Sequence, residues 1–206
     1  MKTIIQSGIK KSMSYDAYLN LVKELVENRM TTGNEQTITL INYTKLNERR
    51  MRRWNKNLQI SSALKNKLLE FKIKITWLVI TESWCGDAAH ILPVFNKIAE
   101  VNYNINYRVV LRDENPQLIN AFLTFGSKAI PKLIVIDDIS GEVLETYGPR
   151  PSEAEGYVNR FKASNGGLTD SFKTDLQHWY NNDKGQNIIN DIIQLLSHIE
   201  SASVYQ

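Results

Sequence analysis

Between residues 14 and 28 the apolar positions Tyr15, Tyr18, Leu19, Val22, Leu25 and Val26 fall on one face of a helix. Ser14 suits its N-cap and Asp16 its first turn. Thr32-Gly33-Asn34 reads as a loop. A second helical pattern runs from about Tyr43 to Leu58, with Leu46, Trp54 and Leu58 on one side. A third runs from Ser62 to Phe71, with Leu64, Leu68 and Phe71 inward.

The period then changes. Ile73 to Thr81 is rich in β-branched and aromatic residues and ends apolar on both faces, which fits a buried central strand. Helical spacing resumes after Cys85 with Ala88, Leu92, Phe95 and Ala99. Tyr107 to Leu111 predicts a short strand. Pro116 to Phe125 predicts a helix opened by Asn115-Pro116 and closed by Gly126. Lys132 to Asp137 predicts a strand, and Ser140-Gly141 turns it into a partner over Glu142 to Tyr147. Ser152 is the expected cap of a helix reaching about Ala163.

Asn165-Gly166-Gly167 marks a linker. Beyond it one helical stretch holds Leu168, Phe172, Leu176 and Trp179, and a second holds Ile188, Ile192, Leu195 and Ile199. Strands alternating with helices imply right-handed parallel crossovers ending in an antiparallel pair. There is no internal repeat and no low-complexity segment.

Composition narrows the class. The chain has 206 residues, 42% of them hydrophobic and 23% charged, which suits a globular protein. A net charge of +3, from 25 basic and 22 acidic side chains, does not point to nucleic acid. No apolar run is long enough for a membrane span. Met1 to Ser12 has no apolar signal region, so the expected location is cytoplasmic. A single cysteine excludes an internal disulfide framework and a metal site built mainly from thiolates.

That cysteine, Cys85, falls where a buried strand gives way to a helix. Free N–H groups of a first helical turn stabilise an anion there, and thiolate is the reactive form of cysteine. Trp84 before it and Gly86 after it fit an exposed, tightly turned sulfur.

Trp84-Cys85-Gly86-Asp87-Ala88 resembles the WCGxC active site of the thioredoxin family, at the same strand-to-helix junction. Ala129-Ile130-Pro131-Lys132, just before a strand, resembles that family's cis-proline segment, and Leu133 to Tyr147 its terminal hairpin. The flanking helices resemble the elaborations of bacterial thioredoxin-family proteins, some of which carry a similar WCGD motif. The resemblance covers about Ile73 to Ala163 and implies an α/β thioredoxin-like sandwich with a central mixed sheet and additional N- and C-terminal helices. The expected organisation is one domain: a helical extension over 1–72, a core over 73–164 and a second extension over 165–206.

The resemblance implies Cys85 as nucleophile and a substrate groove of Trp84, Gly86, Asp87, Ala88, Ile130 and Pro131, with Pro131 supporting an extended substrate backbone. It implies no cofactor or metal, and partners that are protein or small-molecule thiols and disulfides rather than nucleic acid or membrane. Two departures matter. The resolving cysteine would fall at Ala88, and the family's buried aspartate, the proton acceptor of the resolving step, at Val79. Asp87 stands where proline is usual, and its carboxylate opposes thiolate formation. Cys85 therefore has three readings: a monothiol redox centre resolved by an external thiol, which leads; a spent nucleophile in a fold now used for binding; or a structural buried cysteine.

Other candidates have plainer explanations. His90 is expected on the surface or in the groove, because Cys85, Asp87 and His90 do not share one helical face as metal ligands would. His178 and His198 are expected solvated or half-buried. The basic run Lys45, Arg49, Arg50, Arg52, Arg53 and Lys56 goes round its helix and reads as a solvated surface, with a nucleic-acid or anionic-partner surface as the alternative; were it near Cys85, it could stabilise a thiolate or attract glutathione carboxylates. Gly148-Pro149-Arg150-Pro151 reads as a stiff loop, with Arg150 at the groove edge as the functional alternative.

Overall fold

The computed structural model describes residues 1–203; residues 204–206 of the expected C-terminal extension lie outside it. Four helices come first: α1 Lys2–Lys11, α2 Tyr15–Glu27, α3 Ile38–Asn57 and α4 Ser62–Glu70. Then follow β1 Ile75–Thr81, α5 Ala88–Val101, β2 Ile105–Leu111, α6 Pro116–Ala121, β3 Lys132–Asp137 and β4 Val143–Tyr147. The helices α7 Ser152–Asn165, α8 Asp170–Asp183 and α9 Gln186–Ser203 complete the chain.

The sheet order is β2-β1-β3-β4. Every residue of β1 is buried, as a central strand apolar on both faces should be. β1 pairs with β2 in parallel, Ile75 opposite Ile105 through Thr81 opposite Leu111. With β3 it pairs antiparallel, Ile80 opposite Lys132. This corrects the expectation of successive parallel crossovers: among these strands β1 and β2 are the one pair of neighbours that runs parallel, and β3 runs against both. The correction bears on function. Antiparallel pairing sets the start of β3 beside the end of β1, so Ile130-Pro131 arrives next to the loop that carries Cys85. A parallel β3 would have begun at the opposite end of the sheet.

Helix ends obey local chemistry. The hydroxyls of Ser14, Thr37, Ser61 and Thr169 each accept a first-turn N–H of α2, α3, α4 and α8. Ser152 does not cap α7. Pro151 occupies the cap position. The Ser152 hydroxyl instead donates to Asp191 Oδ1 at 2.7 Å, tying α7 to α9. The outer edge of β2 is closed by Met13, whose N–H and C=O both pair with Val109 at 2.8 and 2.9 Å. That pairing leaves less free edge for another chain to join.

Two side-chain placements differ from the periodic reading. Leu46 is 41% exposed; the buried stripe of α3 is Thr44, Asn47, Met51 and Trp54. α6 stops at Ala121 rather than Phe125. The chain there turns tightly, with Thr124 and Ser127 exchanging backbone hydrogen bonds at 2.9 and 3.0 Å. Phe125 and Gly126 at its tip have φ of 48° and 75°. Two consecutive positive φ values suit Asn-Gly, and a bulky Phe there is strained. Phe125 is also 94% exposed, so it gains nothing from burial. Phe125→Asn is therefore expected to stabilise the protein by about 0.5–1 kcal/mol in urea melts. An unchanged or lower midpoint would contradict the strain.

Candidate functional site

The loop before Cys85 is pinned by polar groups from the N-terminal half. The Ser83 N–H donates to Thr32 Oγ1 at 2.8 Å, and Asn47 Nδ2 donates to the Ser83 carbonyl at 2.9 Å. The Ser83 hydroxyl joins those of Thr31, Thr32 and Thr44 in a buried cluster, with separations of 2.9 to 3.1 Å. The Cys85 N–H then turns back onto the Glu82 carbonyl at 3.1 Å. This network fixes the approach of the chain to α5.

Cys85 is 7% exposed, not the open sulfur that its neighbours suggested. Its S–H donates to the Ile130 carbonyl at 3.3 Å, and the Ile130–Pro131 peptide bond is cis. Burial, with the Asp87 charge second, pushes the thiol up to about 12. The N–H groups of Ala88 and Asp87, and the Arg150 guanidinium, pull the other way without prevailing. The helix terminus thus faces the sulfur as expected, but burial wins.

The structure places the groove candidates as follows. Ala88 is buried at the start of α5, and Gly86 is half-buried. Arg50 Nη1 would lie 3.8 Å from a Cβ at Gly86, so this member of the basic run reaches the site. Trp84 is half-buried beneath Arg112, whose guanidinium carbon lies 4.8 Å from the ring centre. Ile130 and Pro131 are buried beside the thiol.

Asp87 sits at the centre of a network whose pairings the sequence did not disclose, and Arg150 stands at the site, as its functional alternative had it. Arg150 Nε lies 2.9 Å from Asp87 Oδ2, and Arg150 Nη1 donates to Glu155 Oε2 at 2.9 Å. The Tyr180 hydroxyl on α8 donates to Asp87 Oδ1 at 3.0 Å. The loop that delivers Arg150 passes very close to Pro131: a Cβ at Gly148, φ 104°, would collide with the Pro131 carbonyl oxygen. Burial pushes the Asp87 carboxyl up, against Arg150 and Tyr180. Glu82 was also missed. It is fully buried, its Oε1 accepts the Asp113 N–H at 2.8 Å, and its Oε2 has no hydrogen-bond partner among the described residues. Burial pushes its carboxyl up as well. Val79 carries no carboxyl, but a buried one lies three residues further on.

His90 is 1% exposed, which corrects its expected surface or groove position. Trp54 Nε1 donates to its Nδ1 at 2.9 Å. Indole only donates, so the imidazole proton is on Nε2, which gives it to Gln177 Oε1 at 2.6 Å. The ring stacks on Tyr180 with centroids 4.4 Å apart. With both nitrogens occupied, His90 is no ligand for a metal at Cys85 and Asp87. Burial pushes its pKa down to about 3. A depressed histidine pKa gives stability that is complete above the unfolded value near 6.5 and lost as pH falls towards 3. We expect a slope approaching about 1.4 kcal/mol per pH unit in that window, removed by His90→Gln. Equal slopes in the two proteins would refute it. His178 and His198 are exposed, and His198 lies 3.8 Å from Glu145.

A mixed four-stranded sheet between helices, with a strand-to-helix cysteine beside a cis proline, defines a thioredoxin-like fold. The thioredoxin family profile matches residues 33–163, and the chain belongs to that family. The match begins well before Ile73, where the motif resemblance began, and so takes in α3 and α4. A protein of unknown function from Pseudomonas aeruginosa has 18% identity and a TM-score of 0.56, covering 74% of this chain and 85% of its own. An HIV epitope scaffold has 17% identity and a TM-score of 0.56, covering 90% and 99%. At such identities the likeness concerns the fold alone. No curated protein matches the chain. No helix among the described residues is long and apolar enough to cross a membrane.

Proposed function

We propose that this thioredoxin-family protein is a binding module whose groove at Trp84, Ile130 and Pro131 takes an extended protein segment, with Cys85 held as a protonated, non-exchanging thiol. The observation that carries this reading is the sealed sulfur: 7% exposed, bonded to the Ile130 carbonyl and pushed up to about 12. With one cysteine, no internal disulfide can release a trapped partner. Cytoplasmic residence suits a lone reduced thiol and is part of the proposal.

A monothiol exchange reading is favoured by one feature, the pair of N–H groups at Asp87 and Ala88 that face the sulfur. In that reading Cys85 loses its proton to solvent, and its thiolate attacks a partner disulfide. A new sulfur–sulfur bond forms as the partner's other sulfur leaves as thiolate, and an external thiol then reverses the bond. Three pK units remove about a thousandfold of thiolate, while the higher intrinsic nucleophilicity returns part, leaving exchange roughly 50-fold slow before access is counted. Incubation with oxidised glutathione and intact-mass measurement separate the readings. The binding reading expects native Cys85 unmodified and Cys85→Ser to retain captured partners under reducing conditions. A glutathione adduct on the native protein, with capture lost in Cys85→Ser, would establish the monothiol reading instead.

A further inference from the structure

The end of α3 and the turn between α8 and α9 enclose a groove of about 470 Å³, large enough for a small metabolite. Its lining is one-sided in charge. Arg53 and Lys184 line it, and no carboxylate does. Among the described residues of α3 the one ion pair is Arg52 with Glu48 at 3.9 Å, so the helix as a whole carries surplus positive charge. Among the described residues neither Arg53 nor Lys184 has an ion pair. The other polar lining groups are the carboxamides of Asn57, Gln59, Asn181 and Gln186, each able to donate to an anionic oxygen.

Both cations are placed by the fold. Arg53 Nη2 donates to Asn181 Oδ1, which links α3 to α8 across the groove. Lys184 closes α8 in the left-handed region, φ 55° and ψ 29°, and its N–H returns to the Tyr180 carbonyl at 3.2 Å. Gly185 follows at φ 79°, so close to the core that a Cβ would lie 3.1 Å from Val94 and 3.5 Å from Trp54. That contact anchors the turn carrying Lys184. The nearest acid in the turn, Asp183, is spent on the Asn187 N–H at 3.0 Å and is not part of the lining.

We propose that this groove binds a small polyanion with closely spaced phosphate or carboxylate groups, gripped between Arg53 and Lys184. The guanidinium fork matches two anionic oxygens at once, and the ammonium adds a point charge on the other wall. The site is independent of what Cys85 does.

Calorimetric titration of the full chain with inorganic pyrophosphate and with citrate, in low-salt buffer, tests it. Saturable binding of either is expected, weakened about tenfold or more by R53Q/K184Q and by added salt. Pyrophosphate alone identifies a phosphate site, citrate alone a carboxylate site, and both a general polyanion site. Both replaced residues are exposed, so the variant should melt like the parent. K56Q removes a cation of the same helix that does not line the groove, and should bind like the parent. No saturable heat with either ligand overturns the site. So does equal binding by R53Q/K184Q, or equal loss in K56Q, which would show only the diffuse field of a basic helix.

Discussion

Iodoacetamide should alkylate Cys85 in the native protein at pH 8 at least about 50-fold more slowly than in the urea-unfolded chain. The thiol lies near 12 in the fold against an ordinary value of 9, and the reagent attacks thiolate. That rise removes about a thousandfold of thiolate, the higher nucleophilicity returns part of it, and roughly 50-fold remains before burial of the sulfur adds to it. The native rate should rise tenfold per pH unit through pH 10 without levelling. Linkage gives a second readout. A thiol raised on folding lends stability that is complete below pH 9 and lost as pH climbs towards 12. Cys85→Ala removes the titrating group and should flatten that alkaline decline. A native rate within tenfold of the unfolded one, or a midpoint below pH 9, would return the monothiol reading to first place.

The strands were legible because their signals are local. Lys132 to Asp137 is a strand with the bounds its β-branched run indicated, and β1 shows the burial its composition predicts. The Ser14 cap needed only its own neighbours. Direction was less legible. A helix between two strands suggests a parallel crossover, but the path from β2 through α6 to β3 can deliver either sense. The site was legible as far as the Trp84-to-Ala88 motif and Pro131 extend. The opposing charge of Asp87 was legible too, but its pairing was not, because Arg150 and Tyr180 lie 63 and 93 positions beyond Asp87. No local pattern records a contact of that range. Leu46 misled for a related reason: α3 turns polar residues inward, since Thr44 and Asn47 serve the buried hydroxyl cluster at Ser83.

Arg150→Met should destabilise the protein by about 3 kcal/mol, because it leaves a buried carboxylate without its counter-ion. The Asp87 and Arg150 side chains are only 11% and 16% exposed, so solvent screening is weak. For a chain of this size the loss lowers Tm by roughly 6–12 °C. The double variant D87N/R150M should recover most of it. Burial already outweighs Arg150 in setting the Asp87 carboxyl, so the pair as a whole adds little net stability. The deficit of the single variant should also shrink as pH falls, because a carboxyl raised on folding takes up a proton in the fold first. The thiol reports on the same pair independently. Asp87 pushes Cys85 up and Arg150 pulls it down, so R150M should slow alkylation further and D87N should speed it. A single variant that melts within 2 °C of the parent would refute the buried pair. A double variant as unstable as R150M would show that Arg150 acts by packing. Alkylation rates that move together in R150M and D87N would show that the two charges act on Cys85 through a change of structure rather than through their fields.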